Sequence, residues 1–97
     1  MRILNNKKIF LLRKKIDVID NKIIKLLDKR LKIALYIAEE KQKNNINIYD
    51  KYREINIIKR LYNIKKYYLK NSAIDRIYKE ILYNSVNEMK KIKNIKK

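Results

Sequence analysis

From Ile9 to Ile37, apolar residues recur at steps of three and four: Ile9, Leu12, Ile16, Ile19, Ile23 and Leu26, then Ile33 and Ile37. That spacing lays one apolar stripe along a helix. The pattern predicts a first helix over about 6–43, starting between Asn5 and Lys8 with Asn5 or Asn6 as cap. The stretch NNINIYD, Asn44 to Asp50, then interrupts it with three Asn and no strong helix former. Asp50 is a good cap for a second helix over about 50–66, with Ile57, Ile58, Leu61 and Ile64 on its apolar side. A third helix is expected over about 72–93, capped by Ser72 or Asn71. It carries Ile74, Ile77, Ile81, Ser85, Met89 and Ile92 at helical steps. Residues 1–8 are expected to fray, and 90–97 to form a mobile basic tail. The whole, 1–97, reads as one all-α domain of three helices without an internal repeat.

Two features disturb this apolar pattern. The step after Leu26 lands on Arg30, and the step after Ile37 lands on Lys41. Enclosing an unpaired charge costs several kcal/mol or more, so both cations call for an anionic partner. Glu54 lies one turn before Ile57 and Ile58, with Arg53 beside it. Ser85 interrupts the third stripe, and Arg13 borders the first. For any one of these residues the bland reading is stronger: an ion pair such as Arg30 with Glu54 that sets register, or a Ser bonded back to a carbonyl. Taken together, three or four cations against one or two acids leave a surplus of positive charge. A compact anion with more than one carboxylate or phosphate would neutralise it. The first helix raises a second requirement. At ~35 residues it is ~53 Å long, more than the remaining chain can cover, so its stripe predicts self-association along that helix.

Composition narrows the chemistry. The 97 residues contain no Gly, Pro, Cys, Trp or His. Without Cys there are no disulfides and no thiolate metal ligands, and without His the commonest general base is absent. Of 27 basic residues 21 are Lys, and the formal charge is +17. An AT-biased genome supplies Lys freely, so the six Arg say more about function, because Lys does not replace their bidentate fork. The leading MRILNNKKIFLLRKK has neither the apolar core nor the cleavage site of a signal peptide, and no apolar run nears the ~20 residues of a membrane span. A soluble, cytoplasmic protein is expected.

With these residues assembled, the chain resembles the all-helical chorismate mutases of the AroQ type. The likeness runs from about Leu11 to Met89 in three blocks. The first is LRKKIDVIDNKIIKLLDKRLKIALYIAEEK, with Arg13, Asp20, Leu26, Leu27, Arg30 and Lys41 in the family's places. The second is YDKYREINIIKRL, with Asp50, Arg53 and Glu54. The third is IYKEILYNSV, ending in Ser85. Each block alone is modest. Seventeen residues from Arg13 to Arg30, eleven more to Lys41, nine to Asp50 and three to Arg53 make a specific combination.

The resemblance implies an intertwined homodimer with two equivalent sites, in which the long first helices pair. It implies an isomerase of the shikimate pathway that rearranges chorismate to prephenate for phenylalanine and tyrosine synthesis. The step is intramolecular and pericyclic, so no cofactor or metal is expected. Arg30, together with Arg13 from the other subunit, would hold the two carboxylates. Lys41 would donate to the ether oxygen and a carboxylate. Glu54 would accept from the ring hydroxyl near the Asp50 backbone, and Arg53 and Ser85 would complete the polar wall. One position departs: the family's Gln four residues after the Ser is here Met89, which cannot donate a hydrogen bond. Three outcomes stand: a slower enzyme with Lys41 alone at the oxygen, replacement of the amide by water or another residue, or loss of most activity. The first is the reading taken.

Three rivals are weighed, the third a purely structural dimeric coiled coil, which Arg30→Leu or Lys41→Leu should stabilise. A lyase removing pyruvate from isochorismate uses a similar pocket, but Glu54 answers the hydroxyl of chorismate. A basic helical nucleic-acid-binding protein would account for +17 but not for Arg30 and Lys41 on an apolar stripe, because phosphate-binding cations belong on an exposed face. Nucleic acid and membrane are therefore not expected partners, whereas an acidic partner enzyme of aromatic amino acid synthesis fits the basic surface.

Overall fold

The computed structural model describes residues 2–92, with side chains from Asn6 onward. Three helices follow one another: α1 (Arg2–Lys43), α2 (Lys51–Tyr62) and α3 (Asn71–Lys90). The chain divides into two compact units, Met1–Arg30 and Leu31–Lys97.

The first unit is a single stretch of α1. It begins ahead of the expected Asn5–Lys8 start, so Asn5 and Asn6 fall inside the helix and do not cap it. Along it Ile9, Leu12, Ile16, Ile19, Ile23 and Leu26 are between 46% and 65% exposed, although they form the apolar stripe. Arg13 is exposed and Arg30 half-buried.

The second unit holds the end of α1 and the α2–α3 pair. Here the buried face of α1 is turned from the expected one. Ile33 and Ile37 are half exposed, while Ala38 is fully buried and Leu31, Ala34 and Leu35 are half-buried. One residue is 100° of helix, so Ala38 looks away from Ile37. Lys41 and Gln42 lie at the end of this inner face, and both are half-buried.

The reversal after α1 is made without glycine. Asn45 takes a left-handed conformation at φ 56°, Ile46 N–H donates to the Lys41 carbonyl at 2.8 Å, and Asn45 N–H reaches the Gln42 carbonyl at 3.4 Å. These are the two bonds of a Schellman cap, with Asn, which tolerates αL best after Gly, at its αL position. Lys41 and Lys43 in the last turn favour the negative end of the helix dipole.

Asp50 caps α2: its Oδ1 accepts from Arg53 N–H at 3.0 Å. That cap is worth about 1 kcal/mol. The helix stops at Tyr62, short of the expected 66. Lys66 Nζ reaches back to the carbonyls of Tyr62 at 3.0 Å and Ile64 at 3.3 Å, so a cation closes this end. Helix α3 starts at Asn71 after an extended Lys70 that makes no side-chain cap. Ser72 and Asn71 lie within its first turn and do not cap it. Its buried row is Ile74, Leu82, Ser85 and Met89, packed against α2 through Ile57. Ile77, expected on the same row, is half exposed. The basic tail expected over 90–97 lies, beyond Ile92, outside the described residues.

The αL site yields a stability test. Asn45→Gly should leave folding unchanged or raise stability by up to about 1 kcal/mol, and Asn45→Val should lower it by about 1–2 kcal/mol, measured by urea unfolding. Equal midpoints for the two variants would contradict the cap.

Candidate functional site

The second unit gathers six of the eight site residues expected from sequence. Lys41 ends α1, Asp50, Arg53 and Glu54 begin α2, and Ser85 and Met89 lie near the end of α3. Arg13 and Arg30 belong to the first unit.

The reversal positions Lys41. Its carbonyl is already taken by Ile46 N–H, and its half-buried ammonium donates to the Ile48 carbonyl at 2.9 Å. That partner is a neutral dipole. Among the described residues no carboxylate is within ion-pair distance of Lys41; Glu40 pairs with Lys43, and Glu88 with Lys91. Next to it, Gln42 Nε2 donates to the Ile92 carbonyl. This bond ties the last turn of α1 to the residue just past α3, and so brings Lys41 toward the helix end that carries Ser85 and Met89.

At the start of α2 the Asp50 cap commits that side chain to Arg53 N–H, and the Asp50 carbonyl accepts from Glu54 N–H at 3.2 Å. Arg53 is exposed and Glu54 half-buried. Glu54 opens onto a groove of about 480 Å³ between α2 and α3, floored by Ile55, Ile58 and Leu82. At its far end Tyr62 O–H donates to Asp75 Oδ1. The hydrogen bond to the Asp75 carboxylate, aided by desolvation and the nearby negative charge, raises the Tyr62 phenol above its usual pKa. Ser85 and Met89 are buried one and two turns beyond Leu82. Ser85 is hydrogen-bonded or otherwise engaged, so it is not a spare hydroxyl.

Sequence reasoning missed Gln42 and the Tyr62–Asp75 link. Gln42 had a signal, an amide at the edge of the apolar stripe beside Lys41. The Tyr62–Asp75 contact had none, because it joins residues on two helices whose register only packing sets.

Three helices with a half-buried cation and a half-buried carboxylate near their ends, and no strand among the described residues, define an all-α protein. The chain belongs to the chorismate mutase type II family, whose sequence profile matches residues 12–90. It is 42% identical over 83 residues to a bifunctional chorismate mutase/prephenate dehydratase of Buchnera aphidicola from Schizaphis graminum, covering 84% of this chain and 22% of that protein. The corresponding bifunctional protein of Aquifex aeolicus is 37% identical over 86 residues, covering 84% of this chain and 24% of its own length. The chain thus spans less than a quarter of these relatives. A crystal structure of chorismate mutase from Helicobacter pylori in complex with prephenate superposes with a TM-score of 0.76 at 37% identity, covering 96% of this chain and all of that one.

The groove yields a titration test. Asp75→Asn should bring Tyr62 back toward the usual tyrosine pKa of about 10. Alkaline absorbance titration should then show one phenol titrating lower than in the parent, and an unshifted curve would show that Asp75 does not act on Tyr62.

Proposed function

We propose that this chain catalyses the rearrangement of chorismate to prephenate. The observation that carries the proposal is Lys41: a half-buried ammonium on a family-matched chain, held at 2.9 Å by a neutral carbonyl and so still short of an anion. Prephenate bound to the Helicobacter pylori relative supports the same substrate class.

In the reaction an ether C–O bond breaks as a C–C bond forms within one molecule. Negative charge builds on the ether oxygen. Lys41 places a full positive charge there, in surroundings drier than bulk water, where electrostatic stabilisation is larger. Arg30 and the second copy's Arg13 hold the two carboxylates, and Glu54 accepts from the ring hydroxyl beside the Asp50 backbone. Arg53 and Ser85 line the wall. Holding the substrate in its reactive chair-like conformer supplies the remainder of the rate enhancement. Met89 offers no donor opposite Lys41, so the ether oxygen receives one cation instead of a cation and an amide.

The working form is a homodimer. The half-exposed Ile row of α1 supports this, because burying apolar surface is worth roughly 25 cal/mol per Å². No helix of the described residues is long and apolar enough to cross a membrane, in keeping with a cytoplasmic enzyme. Its product would pass to an enzyme of phenylalanine or tyrosine synthesis. The fused prephenate dehydratase of the relatives supports that order.

Loss of chorismate absorbance measures activity directly. Lys41→Ala should lower kcat by about 10²–10³, and Met89→Gln should raise it. A Met89→Gln enzyme no faster than the parent would count against this assignment of the site. A second experiment addresses the shared site. Arg13→Ala and Lys41→Ala chains, inactive alone, should regain one intact site per mixed dimer when co-expressed. No recovery would mean that Arg13 does not serve the other copy.

A further inference from the structure

The connection between α2 and α3 carries a feature that the reaction does not use. Tyr67 and Tyr68 are 79% and 95% exposed, and Leu69 after them is half exposed. Three consecutive large side chains therefore stand in water. The chain around them is basic: from Ile55 to Ile74 there are five basic residues, Lys59, Arg60, Lys65, Lys66 and Lys70, and no acidic one, and the nearest acid along the chain, Asp75, is bonded to Tyr62.

The loop is also built in advance. Asn63 and Ile64 N–H donate to the Arg60 and Leu61 carbonyls at 3.1 and 3.2 Å. Lys66 is spent on the carbonyls that end α2. Lys65 Nζ sits 5.6 Å from the centre of the Tyr67 ring, a cation–π contact that steadies it. The Tyr62–Asp75 hydrogen bond links the two helices that the loop joins. A preset loop loses little entropy on binding. Exposed tyrosines are the side chains most used as interface anchors, and cations at the rim select partners by charge.

We propose that Lys65–Lys70 is a docking loop for an acidic protein segment, one with apolar residues set between carboxylates. Tyr67, Tyr68 and Leu69 receive the apolar residues, and Lys65 and Lys70 receive the carboxylates. The second copy proposed above associates along the half-exposed row of α1 and leaves this loop unaccounted for. Single-stranded nucleic acid matches the charge and could stack on the rings, but it leaves Leu69 without a purpose. The candidate site lies at the opposite ends of α2 and α3, about 18 Å away along a 12-residue helix, so an occupied loop leaves it open.

The test is fluorescence anisotropy on the full chain at about 0.15 M salt, where weak surface attraction is screened. The probes are a labelled peptide alternating Glu with Leu and Phe, an equally charged Glu/Ser peptide and oligo-dT. The Glu/Leu/Phe peptide should bind tightest. Tyr67→Ser/Tyr68→Ser and Lys65→Gln/Lys70→Gln should each weaken it about tenfold. Lys22→Gln/Lys25→Gln on α1 should not. Equal binding of the Glu/Ser peptide, preference for oligo-dT, or an equal loss in the α1 variant overturns the proposal. Circular dichroism and mutase turnover, unchanged in the loop variants, separate lost docking from lost folding.

Discussion

The arrangement turns on one half-buried cation. Lys41 stands where α1 ends, on the helix's inner face, and a charge there must be answered. The chain answers it with the Ile48 carbonyl, a dipole where a carboxylate would have closed the account. That choice keeps the ammonium in place and leaves its charge unneutralised. The surrounding structure serves the same end. The Asn45 reversal brings Ile48 back to Lys41, the Gln42–Ile92 bond joins its turn to the end of α3, and the Asp50 cap starts α2 immediately after.

A second constraint acts along α1. A helix of 42 residues with an apolar row half in water is poorly satisfied as one chain. Association along that row would remove the exposed Ile side chains from water. It would also bring a second chain's Arg13 within the assembly. Under that proposal the site would be a property of two chains.

The departures from pattern are informative because each has a chemical consequence. Met89 is buried and offers no donor, so under the proposed reading the site would lean on charge more than on hydrogen bonding. The absence of glycine moves the αL position onto Asn45 and the closure of α2 onto Lys66. The surplus of lysine is a diffuse property of the chain, but beside Tyr67 and Tyr68 it becomes local. There, twenty residues without an acid meet two rings in water.

The linear chain was enough for the number and order of the helices, the Asp50 cap and the break at Asn44–Asp50. Each depends on periodicity and on contacts a few residues apart. The family could be read there as well, since the spacing of Arg13, Arg30, Lys41, Asp50 and Arg53 is itself linear. Packing decided the rest. Ala38 is buried while Ile37 stays half exposed, a choice of face that the apolar spacing along α1 does not encode. Tyr62 met Asp75, and Gln42 met the Ile92 carbonyl, through helix register that local sequence does not encode. Helix α2 ends at Tyr62, whose carbonyl accepts from Lys66 four residues on. Local propensity names the elements; which faces meet is settled by the free energy of the assembled whole.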